Sequence, residues 1–375
     1  MANFAFIYTP SNDWVGGKNY YLSLFSQLNQ DLDSNTDSVF VFTGVNTDIN
    51  ELKSFNKFKI VKTKLLNDSG FFNLVYRIVN KYFAENLLLS VVLKKYKIDI
   101  LSHSYIPKIT NIKCLPWIPD FQHCFLPDYF SEKEIIKRNK YFKKYLNNDN
   151  FLLSSYSALK DAESFFNIGG KASVYRFLPT ATNGFDRSGY EQLCQKYNLN
   201  VPFVFLPNQF WRHKNHMLAI KACKLANERG KAFTLVCSGG FSDYRHPDYQ
   251  NEVESYIDQN QLRHLVIRVG LVDRLVFNCL LAEASVLINP SKFEGWSTTV
   301  EEGKAVGKPL ALSNLAVHIE QTQHTENVRY FDVDDTEQCL VVIQKLLLNA
   351  TNNSGLIETP DTTVDQFYKI LKVLI

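Results

Sequence analysis

Two glutamates, Glu294 and Glu302, stand eight positions apart in "PSKFEGWSTTVEEGKAVGKPLALSN" (residues 290–314), with Gly295, Trp296, Ser297 and Thr298 between them. An ionised carboxylate only accepts hydrogen bonds, so a pair of them at one site suits a ligand that presents several hydroxyls. Ahead of the pair, "ASVLINPS" reads as a buried strand. Ser297, Thr298 and Thr299 then precede a helix that runs toward Val306 and is closed by Gly307 and Pro309. Glu294 is expected in the strand-to-helix loop and Glu302 in the first turns of the helix. The amides of residues 296–298 are left without helical partners at the carboxyl end of a strand, a ready site for a phosphate. A sugar nucleotide supplies that diphosphate together with hexose and ribose hydroxyls. The same letters have a second reading: Thr298 with Glu301, and Thr299 with Glu302, both fit a capping box, in which case the acids only begin a helix.

Three more stretches carry candidate chemistry. "LPNQFWRHKNHMLAIKA" (206–222) brings Gln209, Arg212 and Lys214 to the start of a helix, where the cations are suited to an anion. His213 and His216 in the same stretch are spaced as a helical pair, but with no carboxylate or cysteine nearby they predict no metal site. "WVGGKNYYLSLF" (14–25) places Gly16 and Gly17 in a turn where backbone can approach a ligand closely. "WIPDFQHCFLPDYFS" (117–131) offers Asp120 and His123 as titratable groups.

These residues need strand ends to hold them, and the sequence supplies such strands in two series. "NFAFIY", "SVFVFT", "FKIVK", "IDILSH", "KCLPWIP", "FLLSS" and "SVYRFLP" alternate with helical periods up to residue 179, a long helical region running over about 71–96. The pattern weakens over 180–200 and restarts with "PFVFLPN", "FTLVCS", "HLVIRVG", "ASVLINP", "KPLALSN" and "VRYF". Alternation of this kind predicts an α/β protein with two doubly wound parallel sheets, residues 1–180 and 181–360, and a C-terminal helix over about 361–375 that returns to the first. Ligands of such folds sit at the carboxyl ends of strands, so a cleft between the domains is the expected site.

Composition narrows the classes. The chain of 375 residues is 45% hydrophobic, enough for two cores, and its net charge of +3 argues against nucleic acid as the partner. Seven cysteines, odd in number and without a Cys-x-x-Cys pair, predict a reducing compartment and neither disulfides nor a zinc cluster. Residues 1–8 read as a first strand rather than a leader, and no apolar run reaches the roughly 18 residues of a membrane span, so a cytoplasmic protein is expected. "KRNKYFKKYLNN" (137–148) interleaves cations with aromatics and reads either as a solvated helix face or as a contact for anionic lipid.

The 290–314 string resembles the Glu-x7-Glu signature of glycosyltransferase family 4, a retaining group of the glycosyl transferases group 1 type with the GT-B fold of two Rossmann-like domains. The seven-residue spacing selects Glu302 over Glu301, and the match continues through "AVHIEQ" (316–321). The resemblance implies that Glu294 holds hydroxyls of the donor sugar, that Glu302 holds the ribose, and that amides of Gly295, Trp296, Ser297 and Thr298 hold the diphosphate. It puts Lys214 on the diphosphate too, while Gln209 stands where the family has an arginine. Either Arg212 supplies that second charge or one cation suffices. Gly16 and Gly17 correspond to the family's glycine-rich loop, and the backbone of Val269, Gly270 and Leu271 to its base contact. His123, then Asp120, take the catalytic position beside the sugar, where the family's His-Asp pair appears as Pro119-Asp120. The implied activity is retaining transfer of a hexose or deoxyhexose from a nucleoside-diphosphate sugar to a glycan or lipid-linked saccharide, in bacterial polysaccharide or O-antigen synthesis. Neither metal nor cofactor is implied, and the place of work is the inner face of the cytoplasmic membrane. A GT-B sugar-nucleotide epimerase and a non-catalytic sugar-nucleotide or glycan-binding protein are the alternatives.

Overall fold

Parallel strands buried on both faces read as continuous apolar runs, and among the described residues thirteen strands form, those at the sheet centres buried throughout and the edge strands Phe58–Lys62 and Lys171–Val174 only partly. The computed structural model describes residues 2–9, 15–67, 69–82, 86–104, 106, 108–178, 184–199, 202–350 and 364–374. The chain divides into two units. One comprises Met1–Phe121, Glu132–Thr180 and Asp361–Ile375, and the other Gln122–Ser131 with Ala181–Pro360. The expected boundaries near 180 and 360 lie outside the described residues.

The first unit holds β1 (Ala2–Ile7), β2 (Asp37–Thr43), β3 (Phe58–Lys62), β4 (Ile100–Ser104), β5 (Lys113–Ile118), β6 (Asn150–Leu153) and β7 (Lys171–Val174). They form one parallel sheet in the order β3-β2-β1-β4-β5-β6-β7, whose centre is the early switch of a doubly wound fold. Phe6 meets Phe25 edge-on at 5.2 Å on one face, while Ala5, Ile7, Phe40 and Phe42 pack on the other. The helix Val364–Val373 belongs to this unit. Phe367 packs against Phe6 and Tyr175, and Tyr368 and Lys372 reach the buried Asp37 carboxylate, the lysine at 2.9 Å. The long helical region expected over about 71–96 holds two helices, Phe71–Tyr82 and Leu87–Lys95. The second starts at Asn86, whose left-handed backbone (φ 48°) breaks the helical path.

The second unit holds β8 (Phe203–Leu206), β9 (Thr234–Ser238), β10 (Val266–Gly270), β11 (Val286–Asn289), β12 (Leu310–Ser313) and β13 (Val328–Phe331), all parallel, in the order β10-β9-β8-β11-β12-β13. Alternate side chains of β8 show the double burial: Val204 and Leu206 enter one core, Phe203 and Phe205 the other. Two doubly wound parallel sheets, one in each unit, are what the sequence predicts. Among the described residues no helix is long and apolar enough to cross a membrane.

Candidate active site

The carboxyl ends of β8 and β11, neighbours at the middle of the second sheet, bring Lys214 and Glu294 together. After β8 the chain makes a 3-10 turn, Arg212–Lys214, held by Arg212 N–H donating to Asp243 Oδ2 at 2.9 Å. Asn215 closes the turn in the left-handed region (φ 56°) and starts the helix His216–Glu228. After β11 the loop carrying Glu294 is tied to that turn, because Lys292 N–H donates to the His213 carbonyl at 2.8 Å. Lys214 Nζ then reaches Glu294 Oε1 at 2.6 Å, with side-chain exposures of 19% and 8%.

A buried polar chain supports the pair. Ser291 Oγ lies 2.7 Å from both Glu294 Oε1 and Asn289 Oδ1, Asn208 donates to Asn289 at 3.2 Å, and Thr299 Oγ1 donates to Asn208 at 3.1 Å. His318 is fully buried. Its Nδ1 sits 2.9 Å from the Ser313 carbonyl, which can only accept, so the proton is on Nδ1 and Nε2 is the lone-pair nitrogen. Burial pushes the Glu294 carboxyl upward, but the Lys214 charge and the bonds from Lys214 and Ser291 outweigh it and hold the group below the usual range. Glu294 is therefore a carboxylate at neutral pH.

Helix Thr298–Ala305 carries Glu302, and its start differs from the capping-box reading. Ser297 is the cap, its Oγ accepting from Val300 N–H, and neither Thr298 nor Thr299 plays that part. Two distant residues fix Ser297: Asn289 donates to its Oγ at 2.7 Å, and Gln321 grips its backbone, accepting from the amide at 3.1 Å and donating to the carbonyl at 2.9 Å. The Ser297 amide, expected to face the diphosphate, is thus already engaged. Glu301 turns to Gln321 at 2.9 Å and to Lys304 at 2.9 Å. The helix lies close on the sheet because residue 303 is glycine; a Cβ there would stand 2.5 Å from Leu287 Cδ2 and 2.7 Å from Leu310 Cδ2. That approach buries Glu302, which pairs with Arg274 at 2.6 Å. Burial outweighs Arg274 here, and the Glu302 carboxyl is pushed above its ordinary value.

The remaining sequence candidates are dispersed. Arg212 forms a two-pronged pair with Glu252, both bonds 3.0 Å, and lies over the Tyr249 ring, so its charge is committed away from Glu294. Gln209 sits in the loop after β8, where Gly239 (φ 124°) allows the backbones to touch; a Cβ at 239 would stand 2.5 Å from the Asn208 carbonyl. Gly270 ends β10 and accepts from Gly239 N–H at 2.9 Å, and Leu271 beyond it is 72% exposed. Gly16 and Gly17 lie in the first turn of the helix Val15–Asp31 rather than in a turn before it, while residues 10–14 lie outside the described residues. His213 and His216 are buried and held neutral by desolvation, and His216 stacks on Phe210 at 3.9 Å, as core histidines do.

Asp120 and His123 part company. Asp120 belongs to the first unit, 3.9 Å from Arg138, and together with burial it raises the Asp161 carboxyl to about 6. His123 belongs to the second, in the segment Gln122–Ser131. There Gln122 accepts from Arg245 at 3.1 Å, Arg245 lies 4.4 Å from the Phe130 ring, and Phe125 packs at 5.2 Å on Phe293, the residue before Glu294. His123 itself is buried, its Nε2 3.5 Å from Cys124 Sγ. Among the described residues no group of three His, Cys, Asp or Glu side chains is arranged to hold a metal ion.

Residues 193–360 match the family described as glycosyl transferases group 1. No curated protein matches the chain by sequence. Three solved structures share its fold. A glycosyltransferase from Rickettsia africae ESF-5 is 16% identical with a TM-score of 0.66, over 100% of this chain and 98% of that one. HepE of Anabaena, in complex with UDP and glucose, is 15% identical with a TM-score of 0.67, over 94% of this chain and 93% of that one. WaaG, a glycosyltransferase involved in lipopolysaccharide biosynthesis, is 12% identical with a TM-score of 0.61, over 100% of this chain and 99% of that one. The stretch that matches the glycosyl transferases group 1 family holds Lys214, Glu294 and Glu302, and the chain shares the GT-B fold of these glycosyltransferase structures.

Proposed function

We propose that the protein transfers a hexose or deoxyhexose from a nucleoside-diphosphate sugar to a glycan or lipid-linked saccharide, with retention of configuration and without a metal ion. One observation carries the reading: Glu294, eight residues before Glu302, is ionised and paired with Lys214 at 2.6 Å at the carboxyl end of a central strand. Lys214 has three N–H donors and spends one on Glu294, which leaves donors for a phosphate oxygen. In the reaction the anomeric carbon–oxygen bond to the diphosphate breaks, and negative charge grows on the leaving group beside Lys214. The acceptor hydroxyl forms the new bond from the face that the diphosphate leaves, and its proton passes to the departing phosphate oxygen. Glu294 holds the sugar and Glu302 the ribose.

The UDP, glucose and lipopolysaccharide named for the structural relatives support a role in bacterial glycan assembly at the cytoplasmic membrane, through a donor of that class. The test is incubation with a panel of nucleotide sugars and saccharide acceptors, with the product's anomeric configuration read by NMR. Transfer with an inverted centre would refute retention. Conversion of one sugar nucleotide into another would favour an epimerase, and donor binding without turnover across the acceptor panel would favour a binding protein.

A further inference from the structure

We infer that Arg274 is a positioning residue that keeps Glu302 in its acceptor form, so that this buried carboxylate can take the hydroxyl pair of a ribonucleoside. The inference rests on the reading of Glu302 as the ribose contact and adds a residue to it.

The geometry singles Arg274 out. Glu302 is the fifth residue of its helix, its side chain is 8% exposed, and its one partner among the described residues is Arg274 Nη1 at 2.6 Å. The nearby cations are engaged elsewhere: Lys304 lies on Glu301 and Lys214 on Glu294. Glu301 points away to Gln321, and Asp273, beside Arg274, caps its own helix through Leu275 N–H. Among the described residues no charged group other than Arg274 bears on Glu302. Arg274 opens the helix Arg274–Glu283, four residues beyond the end of β10, and its guanidinium is steadied 4.8 Å from the Phe277 ring.

A carboxylate has about four lone-pair sites, and Arg274 takes one on Oε1, which leaves room for two hydroxyl donors. A protonated carboxyl would present a donor of its own and lose part of that capacity. Burial already drives Glu302 toward the protonated form, and among the described residues Arg274 alone opposes it.

The experiment titrates wild type, R274Q, R274K and E302Q with UDP, GDP, ADP and CDP by calorimetry from pH 5 to pH 9, and follows the tightest binder. Dividing each variant's affinity by that of wild type removes the diphosphate's own titration. R274Q should approach wild type at pH 9 and weaken about tenfold for each pH unit below the raised carboxyl pKa. R274K, which keeps the cation, should recover most of the loss, and E302Q should be weak by a constant factor throughout. R274Q tracking wild type at every pH, or weakened equally at every pH, overturns the role given to Arg274. An E302Q as tight as wild type, or a wild type that binds none of the four, overturns the ribose reading instead. If R274Q does not fold, R274K decides: an affinity ratio falling less steeply than tenfold per unit toward low pH supports the inference, and a flat ratio below one overturns it.

Discussion

Replacing Lys214 with methionine strands the Glu294 carboxylate, and the cost has a ceiling. An orphaned buried carboxylate costs about 3–5 kcal/mol when it must stay charged. At pH 7 it can instead take a proton. From an ordinary glutamate value of about 4.3 that is about 2.7 pH units at about 1.4 kcal/mol each, a ceiling of about 3.7 kcal/mol. Ser291 at 2.7 Å still favours the anion, so the expected loss at pH 7 is about 2–3 kcal/mol. The sign with pH follows. In wild type the depressed Glu294 value adds stability above the unfolded value that is lost as pH falls through the folded value. In K214M that contribution is absent and the folded value rises, so the deficit is largest at neutral pH and shrinks by up to about 1.4 kcal/mol per unit on acidification. Scanning calorimetry of wild type, K214M and K214M/E294Q between pH 5 and 8 measures it. A loss of about 2–3 kcal/mol lowers the transition of a domain this size by roughly 4–12 °C, and the second substitution should recover most of it. Equal transitions for K214M and wild type across that range, or no recovery in the double variant, would refute the idea of a desolvated, mutually dependent pair.

Other substitutions separate binding from stability. E302A should weaken nucleoside diphosphate and donor sugar alike by roughly 10- to 100-fold, whereas E294A should nearly spare the nucleoside diphosphate and cut turnover; calorimetry paired with initial rates distinguishes them. Activity should survive EDTA, and a complete loss restored only by a divalent ion would refute metal-independent transfer. On the helix Glu132–Leu146, Phe142, Tyr145 and Leu146 are buried while Lys137, Lys140, Lys143 and Lys144 face solvent. Salt-sensitive binding to anionic vesicles should fall when these four lysines are neutralised, and undiminished sedimentation with vesicles would exclude the patch.

The central strands were legible because residues buried on both faces of a parallel sheet are β-branched, aromatic or aliphatic without interruption, as in the "FVFL" of β8, while the edge strands β3 and β13, "FKIVK" and "VRYF", were legible from β-branched and aromatic residues interleaved with exposed cations. The division of 71–95 into two helices was not, because the apolar spacing continues up to Asn86, whose left-handed backbone precedes the second helix. Glu294 and Lys214 were found from local strings. Their partners Ser291, Asn289 and Asn208 carry no signature, since small polar residues near turns are common everywhere. Arg274 meets Glu302 from 28 positions away and Gln321 meets Ser297 from 24, and nothing in either local string announces the other. Gln321 stood inside "AVHIEQ", but its grip on Ser297 appears only when the two helices are packed. The capping pattern misled for a related reason: three hydroxyl residues in a row all qualify locally, and Asn289 and Gln321 select the first.

The contact between Asp37 and the helix Val364–Val373 sets an order of manufacture. Asp37 is buried, and two of the groups that satisfy it, Tyr368 and Lys372, are encoded after the whole of the second unit. During synthesis the first unit must therefore wait with Asp37 short of two partners and with the side of Phe6 that meets Phe367 uncovered, while the second unit is translated and can close its own core. The half of the protein that emerges first is the half that is finished last, and until then it is the half most exposed to chaperones and proteases.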